Sequence, residues 1–314
     1  MCVHAERMTD LIRDFLKLAG WEFAARMPIT SDWSPRQYWR LTKPDGAMAV
    51  LLQGPAVPLA GHGLPDFIRL GDHLRHLGLS APAIYATDMD NNLLLIEDFG
   101  ATSIDMPSVE ADGYGAAVDV LATFRHADAL NTPVDDYKEG YIFKKLGLFA
   151  TNVGNGDVNG WLDAWQQAEG LLPPCPYVFS HMDYKAGNLH WLPDRVGVQR
   201  IGILDFQAAQ NAPFTYDIVN LLEDARRNIA PGLKAILLQR FEEALPDAWK
   251  SFFDDWYVVM AAQFHARVLG QIQHNTHVAP DVAPRLRAYL RHELEHPALT
   301  PVRDWVLAHS ALLG

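Results

Sequence analysis

Ser180-His181-Met182-Asp183-Tyr184-Lys185-Ala186-Gly187-Asn188, followed by Ile203-Leu204-Asp205-Phe206-Gln207, is the stretch on which the reading of this chain turns. The segment from Val178 to Phe206 is β-like and reads as strand, loop and hairpin. Pro193-Asp194 begins the turn, and Val198 to Leu204 returns to Asp205. Such a hairpin ties the loop firmly to the second aspartate. A carboxylate at Asp183, an amide at Asn188 and a second carboxylate at Asp205 are thereby delivered to one neighbourhood on rigid elements, which hold geometry better than loops do.

Upstream, the first hundred residues alternate between helical and strand-like patterns. Leu11, Phe15 and Leu18 recur on one helical face, and Gly20 follows as a stop. Gln37 to Leu41 and Ala47 to Leu52 flank the turn signal Pro44-Asp45-Gly46, predicting a β-hairpin. Phe67, Leu70, Leu74 and Leu77 predict a second helix ending at Gly78. Ile84 to Ala86 and Leu93 to Ile96 predict two more strands around Asp90-Asn91-Asn92. From Gly100 onward the pattern is helical apart from the interruption at Val178 to Phe206. Tyr114, Ala117, Val118, Leu121 and Phe124 share a face, as do Ile218, Leu221, Leu222 and Ala225, and Tyr257, Met260, Ala261, Phe264 and Val268. The fold class is therefore α+β. A small N-terminal antiparallel sheet lobe with a packed helix spans residues 1–98, and a larger, mainly helical C-terminal lobe carrying the hairpin spans 99–314.

At 314 residues each lobe is large enough to bury its own core. Apolar runs are broken well before the roughly 18 residues of a membrane span, and the N-terminus lacks the apolar centre of a signal peptide, so a cytoplasmic protein is expected. Cys2 and Cys175 are the only cysteines and have no metal-ligand spacing, which fits a reducing compartment. The net charge of −12, without clustered Lys and Arg, argues against nucleic acid as a partner. Oligomeric state is not legible.

The chemistry that uses these groups together is phosphoryl transfer. Asp183 suits a catalytic base, because a carboxylate beside an acceptor hydroxyl can orient it and take its proton. Asn188 and Asp205 present oxygen ligands for magnesium, a hard cation. His181 is read as organising the loop by hydrogen bonding. Lys185, two residues past the base, can neutralise charge on the transferred group. A metallohydrolase built on His181, Asp183 and Asp205 fits less well, since it leaves Asn188 idle.

His-x-Asp-x-x-x-x-Asn followed by a strand and Asp-Phe resembles the catalytic loop of protein kinases. Together with Ala212-Pro213-Phe214-Thr215-Tyr216-Asp217-Ile218-Val219-Asn220-Leu221-Leu222, it resembles the aminoglycoside phosphotransferase and choline kinase superfamily. The branch it is most similar to is the bacterial kinases of N-acetylmuramate and N-acetylglucosamine, which act on the anomeric hydroxyl. Ser34-Pro35-Arg36-Gln37-Tyr38-Trp39-Arg40-Leu41 looks like an early segment of that branch, and Leu93 to Gly100 looks like its interlobe hinge. The resemblance implies a two-lobed protein-kinase-like fold, ATP and Mg2+ as cofactors, a nucleotide in the cleft between the lobes, and a small-molecule hydroxyl acceptor. It also implies that backbone groups at Glu97, Asp98 and Phe99 hold adenine and that Asp217 buttresses the catalytic loop.

Three departures stand against the kinase pattern. The strand Ala47 to Leu52 has no lysine for the α and β phosphates, which leaves Arg36, Arg40 or Lys43 as substitutes. No Gly-x-Gly-x-x-Gly loop is present, so backbone amides and Ser34 take its place. Met182 stands where protein kinases carry arginine, which removes the partner of an activation-loop phosphate. The first two departures motivate a rival reading as a non-catalytic nucleotide-binding scaffold, opposed by the intact Asp183, Asn188 and Asp205.

For the acceptor, the acids Asp217, Glu223 and Asp224 suit a cation such as choline or an aminoglycoside, but a run of charges is usually a solvated face. Trp161 and Trp165, one turn apart, are read as core ahead of sugar-stacking. His265, His274, His277, His292 and His296 lack the spacing of a complete metal site.

Overall fold

The computed structural model describes residues 2–29, 36–55, 63–125, 134–139, 141–273 and 278–311. In chain order it runs α1 (Cys2–Leu18), β1 (Ala25–Ile29), β2 (Gln37–Thr42), β3 (Met48–Gln53), α2 (Leu64–His76), β4 (Ile84–Asp88) and β5 (Leu93–Glu97). The helical part follows with α3 (Glu110–Phe124), α4 (Tyr141–Lys144), α5 (Gly147–Asn152) and α6 (Val158–Gly170). Then come β6 (Tyr177–Ser180), β7 (Leu189–Trp191), β8 (Ile201–Ile203), β9 (Gln210–Pro213) and α7 (Tyr216–Leu222). The chain ends with α8 (Pro231–Glu243), α9 (Asp247–Lys250), α10 (Phe253–Ile272), α11 (Val282–Glu293) and α12 (Thr300–His309). Two compact units result: residues 1–106 with 188–208, and residues 107–187 with 209–314.

The first unit is an antiparallel sheet in the order β1-β2-β3-β5-β4. The Pro44-Asp45-Gly46 turn closes the β2–β3 hairpin, with Lys43 N donating to Ala47 O at 2.9 Å and Ala47 N to Asp45 Oδ1 at 3.0 Å. Alternation along β3 and β5 puts Ala49, Leu51, Leu93 and Leu95 on one face, where Ile12, Phe15 and Leu16 of α1 cover them. The face of α1 is therefore Ile12, Phe15 and Leu16 in place of the expected Leu11, Phe15 and Leu18, and Leu18 is 90% exposed. The reason is the helix end. Gly20, at φ +73°, turns the chain so that Trp21 N bonds back to Leu16 O at 2.7 Å, leaving Leu18 on the outer side.

The hairpin β7–β8 belongs with this unit, although the sequence division after residue 98 groups it with the helical part. Ile203 N donates to Ser80 O at 2.7 Å, Trp191 N to Thr102 O at 2.8 Å, and Ile104 N to Leu189 O at 3.1 Å. Gly202 admits the Phe99 ring, since a Cβ there would lie 2.5 Å from its Cδ2. The returning strand is shorter than the expected Val198 to Leu204, because 197–200 form a 3-10 turn before β8.

The second unit is mainly helical, with β6 paired antiparallel to β9. The strand β9 has no alternating pattern in sequence and is fixed by this pairing. Trp161 and Trp165 are fully buried. Trp161 stacks on Phe149 at 4.7 Å, meets Trp165 edge-on at 5.3 Å, and donates through Nε1 to Leu146 O at 2.9 Å. They are core residues. Among the described residues no helix is long and apolar enough to cross a membrane.

Candidate active site

In the second unit, the loop after β6 is built around Asp217 in the first turn of α7. Its Oδ2 accepts from His181 N at 2.6 Å and its Oδ1 from Met182 N at 3.1 Å. Met182 is held at φ +73°, a left-handed conformation that a side chain of its size rarely adopts and that costs on the order of 1 kcal/mol or more. His181 is fully buried and accepts from Asp183 N through Nδ1 at 3.2 Å, so that nitrogen is unprotonated. Tyr184 packs edge-on against His181 and donates to Ala117 O of α3 at 2.9 Å. The loop thus presents Asp183 part-exposed, with Lys185 Nζ 2.5 Å from its Oδ2.

Burial pushes the Asp217 carboxyl up to about 7, with the two N–H bonds pulling it down and Asp183 adding repulsion. Asp217→Ala would strip two buried donors of their acceptor. The expected cost is about 2–5 kcal/mol in urea unfolding, together with a fall in kcat. A loss below about 0.5 kcal/mol would show that the loop does not depend on this clamp.

In the first unit, Asn188 immediately precedes β7 and Leu204 N donates to Asn188 O at 2.9 Å, so the hairpin brings Asn188 beside the strand end that carries Asp205. Asp205 itself sits at φ +60°, and its Oδ1 accepts from Gln207 Nε2 at 2.7 Å. Phe206 is clamped against α2, stacked on Phe67 at 4.9 Å. Of the cations weighed as the missing lysine, only Arg36 lies at Asp205, with Nη1 4.0 Å from Oδ1 and its side chain 1% exposed. Arg40 is bound to Asp98 and to Gly100 O, and Lys43 stacks over Trp21 at 4.4 Å.

The hinge carboxylates are not solvated charges. The Asp98 side chain is 2% exposed, pairs with Arg40 at 2.5 Å and caps Gly100 N at 2.8 Å. Glu97 pairs with Arg195 and accepts from Ala83 N at 3.2 Å. Phe99 is buried against Gly202. Ser34 lies outside the described residues, as do His274 and His277. Among the described residues no cluster of His, Cys, Asp and Glu could hold a metal by itself. His292 is exposed beside Glu295, and His296 lies 3.1 Å from Asp255. Residues that motif reading passed over are Gln207, which steadies Asp205, and Arg226 and Arg227 after α7. The adjacent Glu223-Asp224 drew attention to acids alone.

His265 of α10 is the exception among the histidines. Fully buried, it meets Glu293 Oε1 of α11 through Nδ1 at 2.8 Å and Glu223 O through Nε2 at 3.1 Å. Both partners are acceptors, so both ring nitrogens donate only in the imidazolium. Burial by itself lowers its pKa, but the charge and hydrogen bond of Glu293, with Glu223 behind, outweigh burial and hold it above the ordinary 6.5. The folded chain then keeps a proton that the unfolded chain releases. The stabilisation is complete below about pH 6.5 and lost as pH climbs through the raised folded value. The stability advantage of the native chain over His265→Gln should shrink as pH rises above about 6.5 in thermal unfolding. A constant or growing advantage would contradict the pairing.

An antiparallel-sheet unit and a helical unit, with a clamped His-x-Asp loop and a hairpin leading to a second aspartate, define a small-molecule kinase of the protein-kinase-like class. The chain belongs to the phosphotransferase enzyme family (APH), whose model matches residues 26–252. It is 28% identical to the N-acetylmuramate/N-acetylglucosamine kinase of Caulobacter vibrioides over 93% of each chain. It is also 28% identical to the kinase of that name from Pseudomonas aeruginosa, over 79% of this chain and 75% of the relative. Among solved structures, an amicoumacin kinase in complex with AMP-PNP, Ca2+ and Ami shares the fold, with TM-score 0.62, 15% identity, and 98% and 100% of the two chains covered.

Proposed function

We propose that this phosphotransferase moves the γ-phosphoryl group of ATP to the anomeric hydroxyl of an N-acetylated amino sugar, with magnesium as the metal. In this reading Asp183 orients the acceptor hydroxyl and takes its proton, and Lys185 offsets charge on the transferred group. Asn188 and Asp205 hold magnesium, which neutralises charge on the phosphates. The donor set fits a hard cation: both are oxygen ligands, the Asp205 side chain is 45% exposed, and its described contacts from Gln207 and Arg36 fall on Oδ1, leaving Oδ2. Arg36 is assigned to the phosphates and the backbone of Glu97 to Phe99 to adenine. Asn188 lies five residues beyond Asp183 in the chain, which limits their separation to roughly 18 Å whatever the path.

The observation that carries the reading is the Asp217 clamp. It fixes a buried loop with a strained Met182 so that one part-exposed carboxylate, Asp183, is presented beside a lysine. A scaffold that only binds nucleotide has no use for that arrangement. For the acceptor, support comes from the names of the two relatives and from the state of Glu223 and Asp224. Both acids are ion-paired within their own unit, which takes these two carboxylates away from a cationic acceptor such as choline or an aminoglycoside. The test is magnesium-dependent ADP release with a panel of N-acetylmuramate, N-acetylglucosamine, choline and an aminoglycoside. Turnover with the N-acetylated sugars is expected, and turnover confined to the cationic acceptors would refute the assignment.

A further inference from the structure

Gln207 lies two residues past Asp205, in the 3-10 turn Phe206–Ala208, and is buried at 4% exposure. The turn is anchored by its neighbour, since Phe206 is fully buried and stacked on Phe67 of α2 at 4.9 Å. With the backbone fixed there, the amide reaches Asp205: Nε2 donates to Oδ1 at 2.7 Å. The other end of the same amide, Oε1, is buried and has no hydrogen-bond donor among the described residues.

An orphaned buried acceptor costs free energy, because the bond it makes to water in the unfolded chain is not replaced on folding. Turning the amide over gives no relief. It would set the amide oxygen against a carboxylate oxygen, acceptor to acceptor. The orientation is therefore dictated by Asp205, and an apolar side chain of similar length would fill the position without the orphaned oxygen. A polar group kept at a cost to the fold marks a position retained for a purpose other than stability.

What the amide supplies to Asp205 is direction. The terminal torsion of an aspartate is broad, and this side chain is 45% exposed on a backbone at φ +60°, so packing restrains it little. Arg36 Nη1, at 4.0 Å from Oδ1, attracts the carboxylate from beyond hydrogen-bond reach. We propose that Gln207 is a positioning residue: by holding Oδ1 it fixes the plane of the Asp205 carboxylate and leaves Oδ2 for magnesium. The inference rests on the reading of Asp205 as a magnesium ligand. Groups that hydrogen-bond a metal ligand orient it, and magnesium, which demands near-ideal octahedral geometry, is sensitive to that orientation.

The test uses Gln207→Met, which keeps the length of the side chain and removes both polar ends, with Gln207→Leu as a second variant. In metal-free thermal unfolding both should melt no more than about 2 °C below the native chain, because a buried orphan is lost together with the bond to an exposed carboxylate. Calorimetric titration of magnesium with a non-hydrolysable ATP analogue should show affinity lowered by about 10- to 100-fold. Added to Asp205→Ala, Gln207→Met should produce no further loss, since the amide acts only through that carboxylate. A clearly lower melting temperature in both variants, a native magnesium affinity in either, or a further loss in the double variant would overturn the assignment. If Asp205→Ala alone leaves magnesium affinity native, the metal reading fails and this assignment with it. If Asp205→Ala weakens magnesium and Gln207→Met does not, only the positioning role fails.

Discussion

Asp183→Asn should lower kcat by about a thousandfold while leaving the affinity for the magnesium-nucleotide complex within about a factor of two. The substitution keeps the shape of the side chain and removes its capacity to take a proton. The loop that carries it is held by other groups: Asp217 binds the N–H groups of His181 and Met182, Tyr184 is tied to Ala117, and Asp183 contributes its own N–H to His181. None of these bonds uses the Asp183 carboxylate, so the fold is expected to survive. One partner that loses is Lys185, whose Nζ pairs with Asp183 Oδ2. That pair is part-exposed, so its loss costs at most about 1 kcal/mol of stability. Single-turnover kinetics and nucleotide titration would separate the two effects. A nucleotide affinity that falls in step with kcat would mean that Asp183 binds nucleotide and is not the base.

Asp205→Ala should act differently. Removing a carboxylate metal ligand is expected to weaken the magnesium-nucleotide complex by about tenfold or more and to lower kcat by about a thousandfold. The folded chain should lose little stability. The Asp205 side chain is 45% exposed, its partner Gln207 is its near neighbour, and the anchoring of the segment comes from Phe206 stacked on Phe67. The backbone at φ +60° even favours a substitution by glycine. Asp205→Gly should therefore be at least as stable as Asp205→Ala and equally inactive, which is the signature of strain retained for function. Calorimetric titration with magnesium and a non-hydrolysable ATP analogue distinguishes the cases. Equal and mild effects from Asp183→Asn and Asp205→Ala would contradict the division of roles between them.

What was legible in sequence depended on whether the deciding contact is local. The β2–β3 hairpin follows from Pro44-Asp45-Gly46, α2 ends at Gly78 with φ +77°, and the order His181, Asp183, Asn188, Asp205 announces its chemistry through spacing alone. Contacts between distant residues were less accessible. The strand β9 exists because Val178 and Phe179 pair with Ala212 and Asn211, and β1 is an exposed edge strand with Pro28 in it, which no alternation betrays. Asp98 looks like a hinge charge until Arg40, 58 residues earlier, closes on it. The same holds for the acids after α7. Glu223 and Asp224 read as an acidic surface, yet both are buried and paired, with Lys234 and Arg226. Sequence order reports which charges are present, and only the folded chain reports which of them cancel.

The central claim concerns the acceptor atom, and phosphorus NMR of the product answers it most directly. Incubation of the enzyme with ATP, magnesium and N-acetylmuramate or N-acetylglucosamine should give a sugar phosphate whose phosphorus couples to the anomeric proton. A phosphate on another hydroxyl, or inorganic phosphate as the only new signal, would contradict the account.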